Sequence, residues 1–189
     1  QLACEFGLKT SAARLERIGP GHHTFVTLRF DRVAHRRRFF TSAMALLGKT
    51  DSEDASYLDM AEFLSNHGAA DHLATDLREL FRRVLFNVAT ANRDDHLRNH
   101  GFLRHPQGWR LAPAYDMNPS TKKDDHVLSI DGSSPLPDMD TAMAMAPFYR
   151  VSKADAAADL ARLREVIATW EHKAKRLGLS EEDRQELRD

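Results

Sequence analysis

The chain has 189 residues, enough for one domain with a sizeable core, and 42% of them are hydrophobic against 29% charged. Its 27 basic and 28 acidic side chains leave a net charge of -1, which argues against disorder and against a polyelectrolyte partner. One cysteine, Cys4, cannot close an internal disulfide and points to a reducing, cytoplasmic setting, and no apolar run is long enough for a membrane span.

The opening QLACEFGLKT has neither the basic n-region nor the long apolar stretch of a signal peptide, and it lacks an initiator Met. The chain is therefore expected to begin inside a longer protein. Residues 1–7 predict a short helix stopped at Gly7. HTFVTLRF, 23–30, is β-rich and predicts a strand. The basic DRVAHRRRFF follows; Arg32 and Arg36, Arg37 and Arg38 read as a solvated turn that Phe39 and Phe40 anchor to the core. No stacking aromatics are interleaved with these arginines, so direct nucleic-acid binding is not expected. TDSEDASYLDMAEFLSNHG offers Asp and Ser caps for a helix and Gly68 as its stop.

The strongest helix spans about 70–90. Leu77, Leu80, Phe81, Val84, Leu85 and Val88 stand 4, 7, 8, 11, 12 and 15 residues beyond Leu73, which puts them on one stripe. Polar chemistry then crowds its end: VATANRDDHLRNHGFL, 88–103. HGFLRHPQGWRLAPA predicts a β-hairpin around Pro106-Gln107-Gly108, and HVLSI, 126–130, a further strand. DGSSPLPDMD reads as a loop and MDTAMAMAPF as a core helix. One long helix is expected over about 152–177, capped by Ser152 and ended by Gly178, and SEEDRQELRD starts a last one.

Asp94 and Asn99 are five residues apart where a helix gives way to a hairpin, and Asp116 lies 17 residues beyond Asn99, after the second hairpin strand. The hairpin folds the chain back, so Asp116 can return to the first pair. Phosphoryl transfer needs such a set: a carboxylate to orient the attacking hydroxyl and accept its proton, and hard oxygen ligands to hold Mg²⁺ on the nucleotide phosphates. A lone D-x-x-x-x-N is weak; with the hairpin and a second Asp it is more specific. On its own residues the pattern leaves a rival open. A second Asp-Asp-His at 124–126 invites a metal-dependent phosphohydrolase. The structural alternative is a solvated loop of capping residues, and His96 by itself reads as a hydrogen-bonding loop histidine.

NRDDHLRNHGFL, GWRLAPAYDMNPS and LSIDG together resemble the C-terminal part of the HipA-like serine/threonine kinases, the toxin half of bacterial toxin–antitoxin pairs. The resemblance covers nearly the whole chain. It implies a mainly α, protein-kinase-like C-terminal lobe with a few short strands and a β-hairpin. Residues 1–28 would be a remnant of the N-terminal lobe and inter-lobe strand, and 29–189 the C-terminal lobe. It implies ATP and Mg²⁺ as cofactors, with Asp94 as catalytic base and His96 beside it, and Asn99 and Asp116 as metal ligands. LRFDR, 28–32, is similar to the segment lining the family's adenine pocket, which makes Leu28 and Phe30 the nucleotide-binding candidates; the family often has an acidic residue at Leu28. The resemblance further implies a protein substrate, such as a translation factor or an aminoacyl-tRNA synthetase, and a HipB-like DNA-binding antitoxin as partner. The family's phosphate-binding loop and nucleotide-contacting Lys belong to its N-terminal lobe. These residues alone are therefore expected to fold, bind ATP poorly and transfer no phosphate. An apolar surface around Phe6, Phe25 and Val26 would be left for dimerisation or a partner, and a non-catalytic remnant that only binds such a partner is a further alternative.

Overall fold

The computed structural model describes residues 1–19, 23–120, 124–134 and 136–188. Its axis is α4 (Leu73–Ala89). Leu77, Leu80, Phe81, Val84 and Leu85, all on the expected stripe, are completely or almost completely buried. Around this helix pack α3 (Tyr57–His67), α5 (Met139–Ala144) and α6 (Lys153–Ile167). The N-terminal α1 (Leu2–Phe6) lies against α6, and Phe6 stacks on Phe86 with centroids 6.3 Å apart. Gly7 ends α1 in the left-handed region at φ 93°, as expected of that residue.

Local signals place most helix starts. Ser56 and Asp59 form a reciprocal capping box on α3, and Ser152 accepts the Asp155 N–H at the start of α6. The end of α4 carries no glycine. Ala91 takes the left-handed position instead, at φ 51°, and Asn92 N–H closes back on the Asn87 carbonyl at 2.9 Å. The chain thus reverses abruptly after Thr90.

The hairpin is present as β6 (Gly101–His105) and β7 (Gly108–Leu111), paired antiparallel with His105 opposite Gly108. A third strand, β5 (Phe40–Ser42), adds to its open edge, with Thr41 opposite Phe102. The expected strand at 23–30 is β2 (Thr24–Thr27), paired among the described residues only with β1 (Ala13–Glu16), a strand without a clear signal in the sequence. The basic segment holds a two-residue-strand hairpin, β3 (Arg32–Val33) with β4 (Arg36–Arg37). A four-residue α2 (Ala43–Leu46) follows β5. Helices account for about 43% of the described residues. Among the described residues, no helix is long and apolar enough to cross a membrane.

Four expectations are corrected. HVLSI is not a strand: Val127 N–H bonds to Arg93, and Ser129 N–H to Ala55, so its donors serve two different loops and leave only the isolated bridge of Ser129 with Ser56. Its alternation reflects Leu128 and Ile130, both fully buried in the core. The helix expected over 152–177 breaks at Ala168–Thr169 into α6 and α7 (Trp170–Arg176), where the Thr169 hydroxyl donates to the Val166 carbonyl at 2.6 Å. Phe39 does not enter the core; it is 66% exposed and lies on Trp109. Phe6 is buried, so the exposed apolar surface near the N-terminal strands is formed by Phe25, with Leu15, Ile18 and Leu28. The last helix, α8 (Glu181–Glu186), starts at Ser180 as expected. Pro135 of the expected loop and Asp189 of the last expected helix lie outside the described residues.

Candidate functional site

The polar stretch after α4 is held by a stripe on α4 itself. Asp76, Glu79, Arg83 and Asn87 recur at helical spacing beside the apolar stripe, and all four are buried. Asp76 accepts both N–H groups of Arg110 at 2.7 and 3.1 Å and the Leu111 N–H at 3.0 Å. Arg83 reaches Glu79 and donates to the Ala112 carbonyl at 2.6 Å, while burial pulls its guanidinium below its ordinary pKa. These contacts fix where β7 leaves the sheet, and so where Asp116 begins its return.

Asn87 fixes the other arm. Its Nδ2 donates to Asp95 Oδ2 at 2.7 Å, and its Oδ1 accepts from Asn92 at 3.1 Å. Asp95 also accepts the Tyr57 hydroxyl at 2.7 Å and His100 Nε2 at 2.7 Å. A carboxylate only accepts, so Nε2 of His100 is protonated and donates. Burial alone would raise the Asp95 pKa, but the His100 charge and the hydrogen bonds of His100 and Tyr57 outweigh it and hold the carboxyl below its usual range. Asp95 and His100 are thus the structural members of the motif. Neither they nor Asn87 and Arg83 stood out as site-forming in the sequence; four polar residues at 3-4-4 spacing on a helix were the available signal.

With this frame Asp94 is exposed, and Asn99 is buried, ending the 3-10 turn Leu97–Asn99. Asn99 Nδ2 donates to the Asp94 carbonyl at 3.4 Å, so these two are brought together. His96 is half-buried at the start of the turn, and its Nδ1 has no hydrogen-bond partner among the described residues. Leu97 N–H bonds to the Ser52 hydroxyl at 3.1 Å, anchoring the turn from below.

The return of the hairpin is direct. The Tyr115 hydroxyl donates to the Arg98 carbonyl at 2.8 Å, and Ser120 N–H donates to the Ala91 carbonyl at 2.8 Å. Asp116, between them, is exposed and left-handed at φ 55°, and its Oδ1 accepts from Asn118 at 2.9 Å. Burial, helped by the charges of Asp95 and Asp116 and opposed by Arg83, pushes Tyr115 up to about 12, so it remains a donor.

Phe30 joins this arm: its ring stacks on Tyr115 at 5.9 Å and meets Phe40 edge-on at 5.4 Å. Leu28 does not. It is 71% exposed, and its N–H is committed to the Ala12 carbonyl.

A family model, the HipA-like C-terminal domain, matches residues 1–180, and the chain belongs to that family. It is 34% identical over 106 residues to a Haemophilus influenzae protein named "Putative kinase", covering 49% of this chain and 29% of that protein. Its fold matches a chain in the solved complex of the Shewanella oneidensis MR-1 toxin–antitoxin proteins HipA and HipB with operator DNA. The TM-score is 0.79 at 16% identity, over 98% of this chain and 50% of that one. The chain therefore spans half the length of that solved chain, and its match takes in under a third of the Haemophilus relative.

Proposed function

We infer that this chain is the lobe of a HipA-like serine/threonine kinase that supplies the base and the metal ligands, and that the complete enzyme moves the γ-phosphate of ATP to a protein hydroxyl. What supports this is the return of 115–120 onto 91–99 through Tyr115–Arg98 and Ser120–Ala91, which lays the segment of Asp116 against the loop of Asp94 and Asn99.

On this reading Asp94 orients the acceptor hydroxyl and takes its proton, with His96 shaping the turn behind it. Asn99 and Asp116 would hold Mg²⁺. The donor set suits it: all are hard oxygens. Asn99 spends its Nδ2 on the Asp94 carbonyl, which leaves Oδ1 to ligate, and Asp116 keeps Oδ2 beyond the Asn118 bond. When bound, the ion neutralises charge on the phosphate oxygens. Phe30, stacked on Tyr115, offers an aromatic wall for adenine, whereas Leu28, exposed and tied to Ala12, stands apart from it. Residues 1–28 face the other lobe and 29–189 form this one, although α1 is built into the same core. The HipA–HipB neighbour supports a HipB-like antitoxin as partner, and the family resemblance a translation protein as substrate.

The phosphohydrolase reading has less behind it. Among the described residues, Asp94-Asp95-His96 and Asp124-Asp125-His126 do not gather into a three-ligand group, and His126 is buried at 3% exposure.

Mn²⁺ replaces Mg²⁺ and is visible by electron paramagnetic resonance. A titration of the 189-residue chain is expected to show weak binding that Asn99→Ala and Asp116→Asn each abolish. Binding unchanged in both variants overturns the metal assignment. Transfer of labelled phosphate from ATP is read in a chain carrying both lobes.

A further inference from the structure

On the far side of the hairpin from the candidate site lies a second set of ligand-bearing side chains. Asp71, His72 and His105 each offer one ligand atom, and the three atoms lie within 4.8 Å of one another. Asp71 Oδ2 is 3.4 Å from His72 Nε2. That is close to the edge, about 3.3 Å, that two ligands span on a tetrahedral ion with bonds of about 2.0–2.1 Å. The His72 and His105 rings meet at 83° with centroids 5.5 Å apart, so they approach edge to face and do not stack.

The backbone brings these residues together before any ion arrives. Ala69 N–H donates to the Trp109 carbonyl at 2.9 Å, and His72 N–H to the Ala69 carbonyl at 2.9 Å. Gly108, at φ 148°, packs so tightly on 67–69 that a Cβ would stand 2.7 Å from the His67 carbonyl oxygen and 2.8 Å from the Ala69 nitrogen. His105 sits opposite Gly108 in the register, so its turn is pinned to the segment that enters α4. The side chains have little else to hold. His72 is the N-cap of α4 yet makes no side-chain cap bond, and His105 Nδ1 takes a 3.4 Å contact from the Gln107 N–H, at the limit of a hydrogen bond.

Two imidazoles and a carboxylate form a borderline donor set, which favours zinc-class ions over Mg²⁺ or Ca²⁺. We propose that Asp71, His72 and His105 bind one divalent transition-metal ion of the zinc class, with water completing its coordination, and that the ion cross-links the β6–β7 turn to the start of α4. The proposal is independent of the kinase reading, whose metal ligands are all oxygens.

The test uses the full 189-residue chain without a histidine tag, titrated with Co²⁺ and then Zn²⁺ in excess Mg²⁺. One Co²⁺ per chain is expected, with the visible bands of a four-coordinate ion that Zn²⁺ bleaches. Loss of a partner merely behind a ligand costs metal sites about 10–100-fold in affinity, so His105→Ala, His72→Ala and Asp71→Asn should each weaken binding at least tenfold. His172→Ala, an exposed histidine elsewhere, should not. Zn²⁺ should raise the melting temperature of the wild type and not of His105→Ala. His105→Gln repeats the measurement with a polar side chain in the turn, should His105→Ala fold poorly. The chain has ten histidines, so Co²⁺ uptake that survives all three ligand substitutions would mean scattered surface binding and overturn the proposal, as would no uptake at about 0.1 mM metal.

Discussion

Asn87 Nδ2 stands 2.7 Å from Asp95 Oδ2, and through that bond the last turn of α4 holds the loop that carries Asp94. Asp95 also answers Tyr57 on α3 and His100 at the entry to β6, so one buried carboxylate joins three elements. Asn87→Ala removes one donor to Asp95 and leaves Asn92 without its acceptor. A loss of about 2–3 kcal/mol is expected, and a larger one for Asp95→Ala, which strands three buried polar groups. Urea unfolding at neutral pH measures both; equal midpoints for wild type and Asn87→Ala would show that the bond does not hold the loop.

Asp94 should behave in the opposite way. It is exposed, so Asp94→Asn is expected to change stability by no more than about 0.5 kcal/mol. In a chain carrying both lobes the same substitution should abolish phosphoryl transfer. Near-normal turnover would remove Asp94 from the role of base.

Acid should weaken the fold in two steps. His126 is buried, neither ring nitrogen has a hydrogen-bond partner among the described residues, and burial pushes its pKa down, aided by Arg93 and opposed by Asp95 and Asp125. A folded pKa below the unfolded value of about 6.5 means that the unfolded chain takes up the proton first. Stability from this group is therefore complete above about pH 6.5 and lost as pH falls toward the folded value, with a limiting slope of about 1.4 kcal/mol per pH unit. Asp95, also lowered, adds a second loss below about pH 4. His126→Phe should remove the upper step and leave the lower one, which a series of urea midpoints from about pH 2 to 8 would reveal. An unchanged upper step would assign it to another histidine.

Gly101 is required by what lies over it. A Cβ there would fall 2.2 Å from Phe40 Cε2 and 2.7 Å from its Cζ. Phe40 is 37% exposed and can swing outward, so Gly101→Ala is expected to cost only about 1 kcal/mol. The swing would, however, break the edge-on contact with Phe30. The Phe30 and Tyr115 ring resonances should shift in the NMR spectrum, and nucleotide affinity of a two-lobe chain should fall. Unmoved resonances would mean that the three rings are not coupled.

Much of this was legible in the residues. The α4 stripe, the Pro106-Gln107-Gly108 turn and the serine caps are local signals, and each is where it was expected. The return of 115–120 onto the loop after α4 followed from helix, hairpin and spacing. What stayed hidden depends on distant partners. β5 is three residues long and exists because β6 has an open edge. HVLSI alternates like a strand but, among the described residues, has no neighbouring strand to pair with. The end of α4 lacked its usual glycine because Ala91 adopts the left-handed turn. Asp76, Glu79, Arg83 and Asn87 look like a solvated face until β7 and the loop are laid against them.

The packing of α1 has a consequence for the order of assembly. Arg162 Nη2 donates to the Glu5 carbonyl across 157 residues, Lys173 Nζ reaches the Glu5 carboxylate at 2.8 Å, and Phe6 waits on Phe86. During synthesis Glu5 of α1 is made 157 residues ahead of Arg162, so the contacts of α1 with α6 form only once that helix has been made. Closing so long a loop is slow compared with forming the hairpin or α4. Docking of α1 on α6 should thus come late in folding, after Phe6 has met Phe86 on α4.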